Sequence, residues 1–165
     1  MKQRRTILYL ETSFWLRLAD RQNPARRRAT ARFLRWARIR FHLRISPEVR
    51  AEVHETSDPA LRHPMRRKIE RVRPRTVTGG ARVDRLVAEL LLHGVLTRAH
   101  LADLYHIGYA LLGGTDYLVT WDIGDLAREQ TRRRVTEFCV ATGRKALMIG
   151  TPVEVARWLG TRIAR

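Results

Sequence analysis

The chain has 165 residues, which suits one domain with a single hydrophobic core, and its 44% apolar content with four Trp argues against global disorder. No apolar run approaches the ~20 residues that span a bilayer, and the lone Cys139 excludes an intrachain disulfide or a multi-cysteine zinc cage. Charge is lopsided: 33 basic residues against 16 acidic ones give a formal +17, which points to a polyanionic partner, nucleic acid before an acidic protein. Only Lys2, Lys68 and Lys145 are lysines, and Arg, which forks onto phosphate and stacks on bases, favours nucleic acid further. The basic start is followed by only four apolar residues, Ile7 to Leu10, before Glu11. That is too short for an export signal, so a cytoplasmic protein without membrane contact is expected. Cys139 lies among Val135, Phe138 and Val140 and reads as a core filler.

Strand-like and helix-like segments alternate along the chain. Residues 6–10 form a short apolar run that suits a buried strand, and Thr12 and Ser13 then cap a helix through Leu18. Asn23-Pro24 starts a second helix carrying Arg26, Arg27, Arg28, Arg32, Arg35 and Arg38, with Ala29, Phe33 and Trp36 spaced to face inward. Residues 40–45 read as a strand, and Ser46-Pro47-Glu48 opens a helix towards Glu55. Residues 57–74 are polar and basic and hold three prolines, which leaves room for a short helix over 65–72. A small edge strand at 75–78 and a turn at Gly79-Gly80 follow. Val83, Leu86, Val87, Leu90 and Leu91 mark an amphipathic helix, and another spans 97–112 before Gly113-Gly114. Neither glycine pair precedes the Lys-Ser/Thr of a nucleotide-binding loop. A buried strand at 117–120, a helix over 124–141, a strand at 146–149 and a helix capped by Thr151-Pro152 complete the chain. This order implies an α/β fold in one domain over 1–165, with a central parallel sheet of four to five strands and helices on both faces.

In such a sheet, functional groups gather beyond the carboxyl ends of the strands. Glu11 follows the first strand directly, and Asp122 follows the 117–120 strand after Trp121. Two acids at adjacent strand ends repel, and a divalent cation relieves that repulsion. Glu52 lies about a turn and a half into its helix, and Asp103 lies in the first turns of an otherwise apolar one, where an unpaired carboxylate is costly. Each acid has a plainer reading as well. Glu11 suits a helix start, Glu52 a solvated face, Asp103 an arginine pair and Asp122 a helix cap.

Taken together, the segments resemble the PIN-domain family, and especially its VapC-type ribonucleases with a Glu-Thr-Ser start. Ile7-Leu-Tyr-Leu-Glu-Thr-Ser13 resembles the family's opening strand and acid. Ile45-Ser-Pro-Glu-Val-Arg-Ala-Glu-Val53 resembles the second motif, ending on Glu52, and Asp103-Leu-Tyr-His-Ile-Gly-Tyr-Ala110 the third. Asp116-Tyr-Leu-Val-Thr-Trp-Asp122 resembles the fourth, and Gly150-Thr-Pro-Val-Glu154 the subgroup's ending. The set spans nearly the whole chain in order. Departures are local: Asp122 stands where close members have Asn, Asp125 is an additional acid, and Tyr105 and Tyr109 replace smaller residues.

The resemblance implies a metal-dependent endoribonuclease, and the toxin of a toxin–antitoxin pair. Glu11, Glu52, Asp103 and Asp122, with Asp125 as a fifth acid, would hold Mg²⁺ or Mn²⁺, since all-oxygen donors suit those ions and not zinc. Thr12, Ser13 and Thr120 would position phosphate or water, or simply cap helices, and His106 would support the site by packing or hydrogen bonding. Arg26, Arg27, Arg28, Arg32, Arg35, Arg66 and Arg67 are the candidate RNA contacts. The partners implied are RNA, a cognate antitoxin protein and a second copy in a homodimer. A catalytically impaired nucleic-acid-binding module and a structure-specific DNA nuclease are the competing readings.

Overall fold

In a computed structural model, residues 5–161 are described; most of the basic start, residues 1–4, lies outside them. Four of the five strands are three or four residues long, and the central ones carry apolar side chains on both faces, the mark of a sheet covered on both sides. The strands are β1 (Ile7–Leu10), β2 (His42–Ile45), β3 (Arg75–Thr76), β4 (Tyr117–Val119) and β5 (Met148–Gly150), and only β3 is shorter. All pair in parallel in the order β3-β2-β1-β4-β5, with Leu8 level with Leu43 on one side and with Tyr117 on the other. Leu8, Tyr9, Leu10, Leu118 and Val119 are fully buried.

The helices are α1 (Thr12–Ala19), α2 (Pro24–Arg40), α3 (Pro47–Glu55), α4 (Pro59–Val72), α5 (Ala81–Leu92), α6 (Leu101–Leu112), α7 (Glu129–Ala141) and α8 (Pro152–Trp158). The chain runs outward from β1 through β2 to β3, then returns to β4 and β5 on the other side of β1. Right-handed crossovers therefore put α1 to α4 on one face and α5 to α7 on the other. In keeping with this, α1 packs against α2 and α4, and α5 packs against α6. The reversal of strand order between β1 and β4 opens a crevice at their carboxyl ends, where an open α/β sheet binds its ligands.

The α/β class and the parallel sheet expected from the sequence are present, and Cys139 is buried in the core. Element bounds differ: β2 starts at His42 because α2 runs through Arg40, β5 is shifted to Met148–Gly150, and four further differences have local causes. Helix α4 starts at Pro59 and continues through Pro64, longer than the 65–72 expected. Pro59 occupies its first position, where no amide donor is needed, and Asp58 caps Ala60. The expected 97–112 helix is divided into a 3₁₀ turn at Arg98–His100 and α6. Helix α7 starts at Glu129, because Asp122 holds the preceding segment in a turn. Strand β3 is only two residues long. No described helix is long and apolar enough to cross a membrane.

Candidate metal centre

The first acid comes from the end of β1. Glu11 is the N-cap of α1 and is 6% exposed, so its carboxylate needs internal donors. It accepts hydrogen bonds from the Ser13 amide (3.0 Å), the Ser13 hydroxyl (2.5 Å) and the Thr120 hydroxyl (2.7 Å). Ser13 in turn accepts from the Trp121 amide at 2.8 Å, and Thr120 from the Asp122 amide at 2.9 Å. Ser13 and Thr120 thus stitch the ends of β1 and β4 together. The capping role of Glu11 and its place in the acidic site are therefore the same geometry.

Glu52 approaches from α3. Its carboxylate accepts from the Thr12 hydroxyl and lies 2.9 Å from His106 Nε2. His106 is 1% exposed, sits on α6 and is also 3.8 Å from Glu11. Its other nitrogen, Nδ1, meets the Tyr9 hydroxyl at 2.9 Å, and Tyr9 meets the Ser46 hydroxyl at 2.6 Å. Burial alone would lower the His106 pKa, but the Glu52 hydrogen bond and the charges of Glu11, Glu52 and Glu48 raise it above 6.5. Burial likewise works against the Glu52 charge, and His106 and Thr12 overcome it, holding that carboxyl below 4.5. Nε2 faces the Glu52 carboxylate as a hydrogen-bond donor.

Beside this group lies a second one. Asp103 on α6, Asp122 after β4 and Asp125 in the following turn each bring a carboxylate oxygen within 4.8 Å of the others, as do the ligand atoms of Glu11, Glu52 and His106 among themselves. Burial, and then the charges of Asp122, Glu11 and Asp125, push the Asp103 carboxyl up to about 6. Asp122 accepts from the Gly124 and Asp125 amides at 3.1 and 3.0 Å, and Asp125 is 3.4 Å from His100. Among the described residues no arginine or lysine pairs with Asp103 or Asp122. Neither carboxylate is therefore neutralised by a basic side chain among the described residues. The three aspartates offer only oxygen donors, which fits Mg²⁺ or Mn²⁺. Glu11 and Glu52 offer oxygens too, but both face the His106 imidazole.

The chain matches no family model, no curated protein and no solved structure.

The candidate acids thus fall into two neighbouring groups, with His106 at the heart of one. Sequence reasoning placed His106 in a supporting role and missed three of its neighbours. Tyr9 was hidden in an apolar strand, Ser46 was visible only as a helix cap, and Glu48 only as a first-turn acid. Burial and the nearby charges of Glu52 and Glu55 raise the Glu48 carboxyl, with His106 opposing. Of the arginines singled out, Arg26 contacts the residue before Asp122: its guanidinium sits 5.2 Å from the centre of the Trp121 ring, and the Trp121 indole donates to Thr30 at 2.8 Å. Arg27 and Arg67 line a cleft of about 770 Å³ between α1 and α4. Arg66 lines a separate cleft between α3 and α4 and pairs with Glu70. Arg28, Arg32 and Arg35 are exposed along α2.

Proposed function

We propose that the chain is a Mg²⁺- or Mn²⁺-dependent endoribonuclease of the PIN type that hydrolyses RNA phosphodiester bonds. The observation that carries this reading is the trio Asp103, Asp122 and Asp125 at a strand-order reversal, with Asp103 lifted to about 6 by burial and by its acidic neighbours and with no arginine or lysine on Asp103 or Asp122. Like charges gathered in a half-buried crevice are a cost unless a cation offsets them. A bound divalent ion supplies electrostatic neutralisation of a scissile phosphate and lowers the pKa of an attacking water.

Asp103, Asp122 and Asp125 would hold that ion through carboxylate oxygens. Glu11, fixed by Ser13 and Thr120, contributes negative charge from the opposite side. Glu52, kept ionised by His106, orients water at the mouth of the crevice. Arg26 on the Trp121 ring, and the exposed arginines of α2, supply contacts for the RNA backbone. The +17 charge also suits an acidic protein partner, and on that basis together with the sequence resemblance the reading extends to a cytoplasmic toxin that dimerises and is held by an antitoxin.

The test is cleavage of end-labelled RNA by wild-type protein and Asp103→Asn, with Mn²⁺, Mg²⁺ or chelator, and with a single-stranded DNA of the same sequence alongside. Metal-dependent RNA cleavage that disappears in the variant is the expected result. RNA bound but intact in every lane would replace this reading with that of a binding module. Cleavage confined to the DNA would make the chain a DNA nuclease.

A further inference from the structure

The end of the sheet opposite the acids carries an arrangement that the nuclease reading does not use. Arg44 on β2 and Arg75 on β3 are direct partners in the parallel register. Like charges facing each other across neighbouring strands are destabilising. Arg38, at the end of α2, and Arg73, just past the end of α4, join them with His42 around a cavity of about 350 Å³. No acidic residue lines it, and none of the five has an ion-pair partner among the described residues.

Two of these arginines are held at a cost. The Nε of Arg44 is buried without a hydrogen-bond partner, and burial together with the Arg75 charge lowers the pKa of its guanidinium. Arg73 adopts a left-handed backbone (φ 53°, ψ 51°) at a helix end where glycine is the ordinary choice. The carbonyls at the carboxyl ends of α2 and α4 favour nearby cations, which accounts for Arg38. They do not account for two arginines in register or for a strained third. An anion in the cavity would offset the repulsion among these cations, because guanidinium groups fork onto phosphate oxygens.

We propose that this basic cavity, lined by Arg38, His42, Arg44, Arg73 and Arg75, is a binding site for a phosphoryl group, distinct from the acidic crevice. Its ligand is the phosphate of an RNA strand or of a small phosphorylated molecule. The inference stands apart from the nuclease reading, since it needs neither metal nor cleavage.

Inorganic pyrophosphate is titrated into the intact protein and followed by calorimetry and amide NMR, using wild type, Arg73→Gly and Arg75→Met. Arg73→Gly keeps the left-handed backbone available, so a fold at least as stable is expected alongside pyrophosphate binding weakened about three- to tenfold. Arg75→Met, at an exposed position, should weaken it similarly, with the wild-type amide shifts centred on His42, Leu43, Arg44, Arg73 and Arg75. A single-stranded oligoribonucleotide is then titrated in chelator, where cleavage is off. Parallel loss of RNA affinity in both variants assigns the site to an RNA phosphate, and loss for pyrophosphate alone assigns it to a small phosphate. Unchanged pyrophosphate affinity in both folded variants, or no amide shifts at these residues, overturns the proposal. RNA cleavage measured separately leaves the two readings distinguishable.

Discussion

Burial and three neighbouring negative charges lift Asp103 from its ordinary 3.8 to about 6, so between those values the folded chain binds protons that the unfolded chain has released. Stability without metal therefore falls as pH rises from about 4 to about 6 and stays low above that. Asp103→Asn removes the penalty. At pH 7 it should stabilise the metal-free protein by about 1–2 kcal/mol, after allowance for the partial solvent exposure of the group, or about 2–8 °C in Tm. Mn²⁺ should raise the Tm of wild type and leave the variant unmoved; equal Mn²⁺ shifts would remove Asp103 from the ion's ligands. His106 runs in the same direction with pH, but as a gain that is lost and not a penalty that is incurred. Its raised pKa means that its pairing contributes fully below 6.5 and fades as pH climbs through the folded value, whereas the lowered Glu52 contributes above 4.5 and is lost in acid. The Tm advantage of wild type over His106→Gln should accordingly shrink from pH 6 to pH 9, and a constant difference would mean that packing alone is at stake. The acids themselves were legible in the sequence because strand ends and short motifs mark them. Their division into two groups was not, because His106 meets Glu52 and Tyr9 across 54 and 97 positions of sequence.

Helix α8 shows how an element is fixed by its ends. Thr151 and Glu154 form a reciprocal capping box, Arg132 of α7 grips Glu154 through two contacts of 3.0 Å, and Trp158 stacks on Tyr117 of β4. The Trp158 ring lies so close over β5 that a Cβ added to Gly150 would meet it at 2.7 Å. Gly150→Ala forces the ring off its seat, an overpacking that should cost about 1–3 kcal/mol, read as a lower urea midpoint with an unchanged slope. An unaltered midpoint would show that Trp158 is free to move aside. This cap was readable from Thr151-Pro152, as were the central strands β1 and β4, whose apolar runs leave little choice in a sheet covered on both faces. Where the reading slipped, a local signal lost to its surroundings. Pro64 should interrupt a helix, yet Met65 and Ile69 bury one turn apart against the core and carry α4 through it. Asp122 marks a helix start by residue type, but here its side chain closes a turn and delays α7 to Glu129.

The whole molecule separates its charges. The acids crowd the carboxyl pole of β1 and β4, while the exposed arginines spread along α2 and gather again at the amino end of β2 and β3. A uniform +17 surface would bind RNA anywhere. A polar arrangement gives a strand places to be held and one place where its phosphates meet carboxylates, tolerable only with a cation between them. Two consequences can be measured on single-stranded RNA, without cleavage. In chelator, neutralisation of about six phosphates gives a log–log salt slope of about −4, a loss of about a hundredfold in affinity between about 0.1 and 0.3 M salt. Replacing the α2 pair Arg28 and Arg32 with Gln should make that slope shallower by about 1.4. Addition of Mg²⁺ at fixed ionic strength should strengthen binding in wild type, because it converts the acidic pole from a repulsive surface to an accepting one. The same addition should do nothing for a variant that lacks the charges of Asp103 and Asp122. A slope near zero would mean that the arginines are solvated and idle, and Mg²⁺ enhancement equal in both proteins would place the ion on the RNA and not in the crevice.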